Sequence, residues 1–284
     1  MQDEKLLPEM MNRYADKKLL VHVAYHLTAG REVYMREMLG NLIETYGFGV
    51  IDIHVDTNGV EGRESIREFL GHRPGRTVGC TVHDNLEHPF FLTWVHREPM
   101  SRRVPEYDYF MYCEDDLIIP WEGIVRWAED TELLEGRGYL RGFVRTETGV
   151  DGKVVALDFL ETDRQPQVMR IGGRAFYKPR YPYHAFYLYT QKQMREFVSL
   201  PENWNREGNC CGYDTRATAA SGMTWVNRNE HRVLLPLDDG GGLPNHVRVV
   251  HLPNNYVDDP TKVHGKLGIE AVLPDGSVGD TLMC

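Results

Sequence analysis

Two apolar runs with a helical pattern between them constrain the fold most: Leu19–Tyr25 (LLVHVAY) and Val50–Val55 (VIDIHV). The first has the length and composition of a buried strand. Thr28, Ala29 and Gly30 then make a turn, and Tyr34, Met38, Leu42 and Ile43 recur at helical spacing until Gly47 and Gly49 end the segment. The second run alternates polar with apolar side chains and stops at Asp56, Thr57 and Asn58. Strand, helix and strand within about 35 residues define a βαβ unit, which closes right-handed onto a parallel sheet. The expected class is therefore α/β, with helices flanking a mostly parallel central sheet. Ligands of open sheets of this kind bind beyond the carboxyl ends of the strands.

Further elements follow the same reading. Arg76–Val82 is a third strand, His88–Arg97 a helix with Pro89 in its first turn, and Tyr107–Cys113 (YDYFMYC) a strand rich in β-formers. A helix begins near Trp121, and strands are expected over Tyr139–Arg145, Val154–Phe159 and Ala185–Tyr189. Thr190 caps a helix with the apolar stripe Met194, Phe197 and Val198, and Arg248–Leu252 is the last strand-like run. Residues 18–255 read as one domain and 256–284 as a tail. Residues 1–17 form an extension in which Leu6, Leu7, Met10, Met11 and Tyr14 fall at helical spacing. Such a helix packs on its own domain or makes peripheral contact with a membrane surface, and its acidic residues favour the first.

Composition removes several classes. Hydrophobic residues at 42% and charged residues at 26% are ordinary for a globular protein, which sets aside disordered and fibrous chains. A net charge of −10 opposes nucleic-acid binding, which needs a basic surface. It leaves room for a small phosphorylated ligand, because a local cation reverses the sign of one cleft. The five cysteines include the adjacent pair Cys210 and Cys211 but no CxxC, so free thiols in a reducing compartment fit best. With no run of 18 apolar residues and with Asp3 and Glu4 near the start, neither a membrane span nor a signal peptide is expected, and the protein reads as cytoplasmic.

The densest chemistry is Glu114-Asp115-Asp116, directly after the Tyr107–Cys113 strand. Three successive carboxylates repel one another, and a cation is the usual remedy. Oxygen ligands suit Mg²⁺ or Mn²⁺. In an extended segment Glu114 and Asp116 share one face while Asp115 points the other way. The competing explanation is a solvated acidic turn ahead of the Trp121 helix.

The run YDYFMYCEDDLIIPWEGIVRW resembles the metal-binding DxD segment of GT-A glycosyltransferases, in the variant whose first acid is Glu. The opening LLVHVAYHLTAGREVYMREML and VIDIHVDTN are also similar to that fold, as is the late VVHLPNNY. The resemblance implies a nucleotide-sugar half over about 18–120 and an acceptor half over about 121–255. It implies Asp116 as a direct Mn²⁺ or Mg²⁺ ligand, Glu114 as the first acid and His251 as a late histidine ligand, with His246 its rival. For the nucleotide-sugar donor, a UDP-sugar by default, it points to Tyr25 and His26 after the first strand, Asp56 after the second, Arg97 near the diphosphate, and Asp115.

The implied reaction is transfer of a sugar to a hydroxyl of a glycan or other acceptor, with the metal stabilising the departing diphosphate. Asp214 stands where inverting members carry their base, although Tyr213 replaces an acid of that motif; helix capping is its rival role. Two enzyme alternatives are a sugar nucleotidyltransferase, which would want a Gly-rich basic loop after the first strand, and a glycoside hydrolase, which needs no metal. A non-catalytic sugar- or nucleotide-binding module is the alternative from another class.

Overall fold

The two apolar runs lie side by side. Strands β1 (Lys18–Tyr25) and β2 (Val50–Thr57) are parallel, in register from Lys18 opposite Val50 to Tyr25 opposite Thr57. The computed structural model describes residues 12–158, 167–206, 213–227, 230–262, 267–269 and 282–283. The expected N-terminal helix and C-terminal tail thus fall largely outside the described residues. Tyr14, from the end of that extension, is buried with its ring 5.6 Å from Phe48 and 5.9 Å from Tyr109.

The chain divides into two compact units, Met1–Leu117 with Ala185–Met223, and Ile118–His184 with Thr224–Cys284. The return of Ala185–Met223 to the first unit has a simple cause. The strand Phe186–Thr190 pairs antiparallel with β5 (Tyr109–Glu114), so its partner is the earlier half of the chain.

With β3 (Gly71–Arg73) and β4 (Arg76–Val82), the first unit's sheet runs in the order Phe186–Thr190, β5, β1, β2, β4, β3. The four central strands are parallel, and the two outer ones are antiparallel to their neighbours. From β1 the chain builds outward through β2 to β4, then returns to add β5 on the other side of β1. That reversal between β1 and β5 is a topological switch point, where the connections after the two strands part and leave a crevice. Both strands are apolar and covered on both faces, as central parallel strands must be.

The helix Arg31–Thr45 buries Met35, Met38, Leu39 and Leu42, an i, i+3, i+4, i+7 face. Tyr34 and Ile43, expected on that face, are half-buried at its margins. The helix expected over His88–Arg97 is two elements: a 3₁₀ turn, Pro89–Trp94, capped by the His88 side chain, and an α-helix, Arg97–Arg102. Thr190 caps its helix as expected. Its hydroxyl accepts from Gln193 N (3.2 Å), and the Gln193 side chain returns the bond to Thr190 N (3.0 Å).

The second unit carries the helix Trp121–Glu135 and two groups of strands. In one, Val144–Thr148 pairs with Arg248–His251 and with Val154–Ala156. In the other, Arg174–Lys178 lies between Gln167–Ile171 and Val233–Pro236, and the last pairs with Leu140–Arg141. The single strand expected over Tyr139–Arg145 is therefore split between both groups at Gly142 and Phe143. The hairpin 167–178 escaped the sequence reading, although Gly172 and Gly173, both at positive φ, supply the turn that hairpins favour. No helix among the described residues is long and apolar enough to cross a membrane.

Thr190→Ala removes one half of the reciprocal cap. It should lower unfolding stability by about 1 kcal/mol, read as a shift in urea midpoint, while Thr190→Ser should lose little.

Candidate functional site

Strand β5 delivers Glu114 as its last residue and then turns, so Asp115 and Asp116 leave the extended backbone. Alternation stops there, and Asp115 does not point away from Asp116 as an extended segment would require. Both side chains are buried and both bind one guanidinium. Arg31 Nε donates to Asp115 Oδ2 (2.9 Å), and Arg31 Nη2 donates to Asp115 Oδ1 and to Asp116 Oδ2 (2.9 Å). Arg31 is the first residue of its helix, set there by Gly30, whose left-handed φ of 85° turns the chain after β1. A planar guanidinium matches two carboxylates in this fork better than a point charge does.

The cation demanded by the acidic run is thus present in the chain itself. Burial pushes the Asp115 pKa up to about 6 against the Arg31 hydrogen bond, with the neighbouring charge of Asp116 adding to the rise. Burial also opposes the Arg31 charge, but the hydrogen bond and charge of Asp115, followed by Asp116, hold its pKa above the ordinary value. Among the described residues, no three His, Cys, Asp or Glu side chains are gathered to hold a metal ion.

A second set of basic groups borders the same strand ends. Exposed His26 follows β1, and its pKa is lowered by desolvation and then by the charges of Arg31 and Arg216. Arg216 in turn bonds Asp214 (3.1 Å). Asp214 is the N-cap of the helix Thr215–Ser221, with Oδ1 accepting from Ala217 N at 2.8 Å. Burial would raise its pKa, but the Ala217 and Arg216 hydrogen bonds win and lower it. The capping role is the one that this geometry expresses, and a lowered pKa makes the carboxylate a weaker base.

Three of the expected nucleotide contacts are corrected. Tyr25 is fully buried, its hydroxyl 3.0 Å from Ser65 Oγ, so its ring is core and offers no stacking face. Arg97 is buried with its guanidinium 3.8 Å above the Trp94 ring and 5.1 Å from that of Phe197, donating to Ala219 O. Burial pulls its pKa down, and its role is to hold aromatic packing together. Asp56 does end β2, but both of its oxygens are engaged. His22 Nδ1 lies 2.9 Å from Oδ2 and His83 Nε2 lies 2.9 Å from Oδ1. Burial alone would raise the Asp56 pKa; the two imidazole hydrogen bonds reverse that and hold it well below the ordinary 3.8.

His251 belongs to the second unit. Its Nδ1 lies 2.6 Å from Glu147 Oε1. Buried Glu147 also accepts backbone N–H bonds from Asn255 (3.1 Å), Tyr256 (2.8 Å) and Val257 (2.8 Å). The rival His246 has its pKa driven down to about 3, by burial first and then by Arg141, Arg126 and Arg174. That ring sits among arginine charges that repel cations.

Arg31, His22, His83 and Glu147 were not singled out in the sequence. Arg31 had a readable signal, a basic residue opening the helix that follows β1. For the other three, pairing depends on strand register and has no mark in the sequence.

No protein-family model matches this chain, and no curated protein is significantly similar to it.

Asp56→Asn should destabilise the fold by about 1–3 kcal/mol at neutral pH, since one buried imidazole then lacks an acceptor. Because the folded pKa of Asp56 is depressed, its contribution is full above 3.8 and fades as pH falls below that value. Urea unfolding across pH should show the wild type and the variant converging in acid.

Proposed function

We propose that the first unit binds a nucleoside diphosphate-sugar, a UDP-sugar by default, at the switch point between β1 and β5. On this reading the protein is a metal-dependent glycosyltransferase with a GT-A-like fold. One observation carries it: the Arg31 guanidinium bridges buried Asp115 and Asp116 at the crevice where open α/β sheets take their ligands. The parallel strands flanked by one antiparallel strand beside β5 agree with the resemblance of the acidic run to the DxD segment.

The carboxylates fit a divalent ion shared with a diphosphate better than an ion caged by protein alone. Mg²⁺ and Mn²⁺ commonly take one or two carboxylates and complete their shell with phosphate oxygens and water. Glu114 and Asp116 would hold the ion, which when bound offsets charge on the departing diphosphate. Arg31, released from Asp116, would turn to a phosphate oxygen, with Arg216 lending positive potential at the same edge and the His26 ring, held toward its neutral form, free to donate a hydrogen bond. The acceptor's proton is not assigned to Asp214, which serves its helix as a cap.

Thermal melting with UDP and other nucleoside diphosphates, with Mn²⁺, Mg²⁺ or chelator, tests this. Ligand at 100-fold its Kd should stabilise by about 2.7 kcal/mol. The shift should require metal and should vanish in Asp116→Ala, and the same conditions with UDP-sugars should release UDP. An equal shift in chelator would remove the metal and leave the diphosphate to Arg31 and Arg216; no shift with any nucleotide would remove the function.

A further inference from the structure

The engagement of Asp56 by two imidazoles moves the ligand-facing atom one residue outward. Asp56 is ionised and can only accept, so the ring nitrogen that each imidazole turns toward it carries a proton. In neutral His83 that nitrogen is Nε2, which leaves Nδ1 with its lone pair. Nδ1 meets no protein group among the described residues and is not sealed in the interior; the side chain is 24% exposed. His83 directly follows β4, and its backbone N–H bonds Thr57 O (2.7 Å) at the end of β2. Its imidazole is therefore a fixed acceptor, held by a buried carboxylate at the carboxyl edge of the parallel strands.

That edge is the one at which β1 and β5 present Arg31, Asp115 and Asp116. The end of β4, which His83 follows, lies two to three strand spacings from the switch point, roughly 10–14 Å. This is of the order of the separation between the base and the diphosphate of one nucleotide. An acceptor with a lone pair and no proton selects a ligand group that donates. Resting on the nucleotide reading above, we propose that His83 Nδ1 accepts a hydrogen bond from the imide N–H of a pyrimidine base. Asp56 is then the positioning residue that fixes the tautomer, and not itself a base contact.

The test is calorimetric titration with UDP, N3-methyl-UDP and 2′-deoxy-UDP in the presence of Mn²⁺, on the wild type and on His83→Ala. N3-methylation should weaken binding to the wild type about tenfold, the loss of one good hydrogen bond. His83→Ala should bind UDP about as weakly and should no longer distinguish UDP from its N3-methyl form. The wild-type comparison needs no variant to fold. Equal affinity of the wild type for UDP and N3-methyl-UDP would overturn the assignment, as would a variant that still discriminates. A loss that instead follows 2′-deoxy-UDP would overturn it in favour of a ribose hydroxyl. If UDP binds without any such pattern, only this inference fails; if UDP does not bind at all, the nucleotide reading fails and takes this with it.

Discussion

Asp115 and Asp116 are carboxylates withdrawn from water at the end of the central strand, and they are tenable there because the Arg31 guanidinium spans them. Isolated buried charges cost several kcal/mol each, and a fork of charge-assisted hydrogen bonds is one of the few arrangements that offsets the cost. The consequence reaches back into the chain trace. Arg31 must begin its helix beside β5, so Gly30 must take a left-handed turn and β1 must be the immediate neighbour of β5. The strand order that creates the switch point also brings this cation to the acids. On the proposed reading this pairing is exchanged when a stronger partner for either side arrives.

A second buried carboxylate, Asp56, is handled differently. Its neighbours are imidazoles, which carry no fixed charge, and the interaction is directional. Where Arg31 neutralises, His22 and His83 orient. The first unit thus has an electrostatic centre at the β1–β5 junction and a hydrogen-bonding centre at the ends of β2 and β4. Both lie on the carboxyl edge of one sheet, the side that the topology leaves open.

The sequence made β1, the following helix, β2, β4, β5 and the Thr190 cap legible, because each follows from local periodicity or capping chemistry. It also located the acidic run and the need for a cation. What it could not show was which cation, since Arg31 and Asp115 meet only through the pairing of β1 with β5. The same limit explains Tyr25, Arg97 and Asp56. Each stands at a strand or helix end where a ligand contact is plausible, and each is claimed by a partner distant in sequence: Ser65, Ala219, and His22 with His83. The split of Tyr139–Arg145 between two groups of strands is likewise a tertiary outcome that no window of residues contains.

The exchange of Arg31 from Asp116 to phosphate is the central claim, and the Nη2–H signal of Arg31 in an ¹⁵N-labelled sample reports it directly, because Nη2 makes the Asp116 bond. Titration with UDP and Mg²⁺ together should move that signal, whereas Mg²⁺ alone should leave it near its starting position. A signal that stays fixed while UDP and Mg²⁺ saturate the protein would show the Arg31–Asp115–Asp116 fork to be structural, and the ligand site to lie elsewhere.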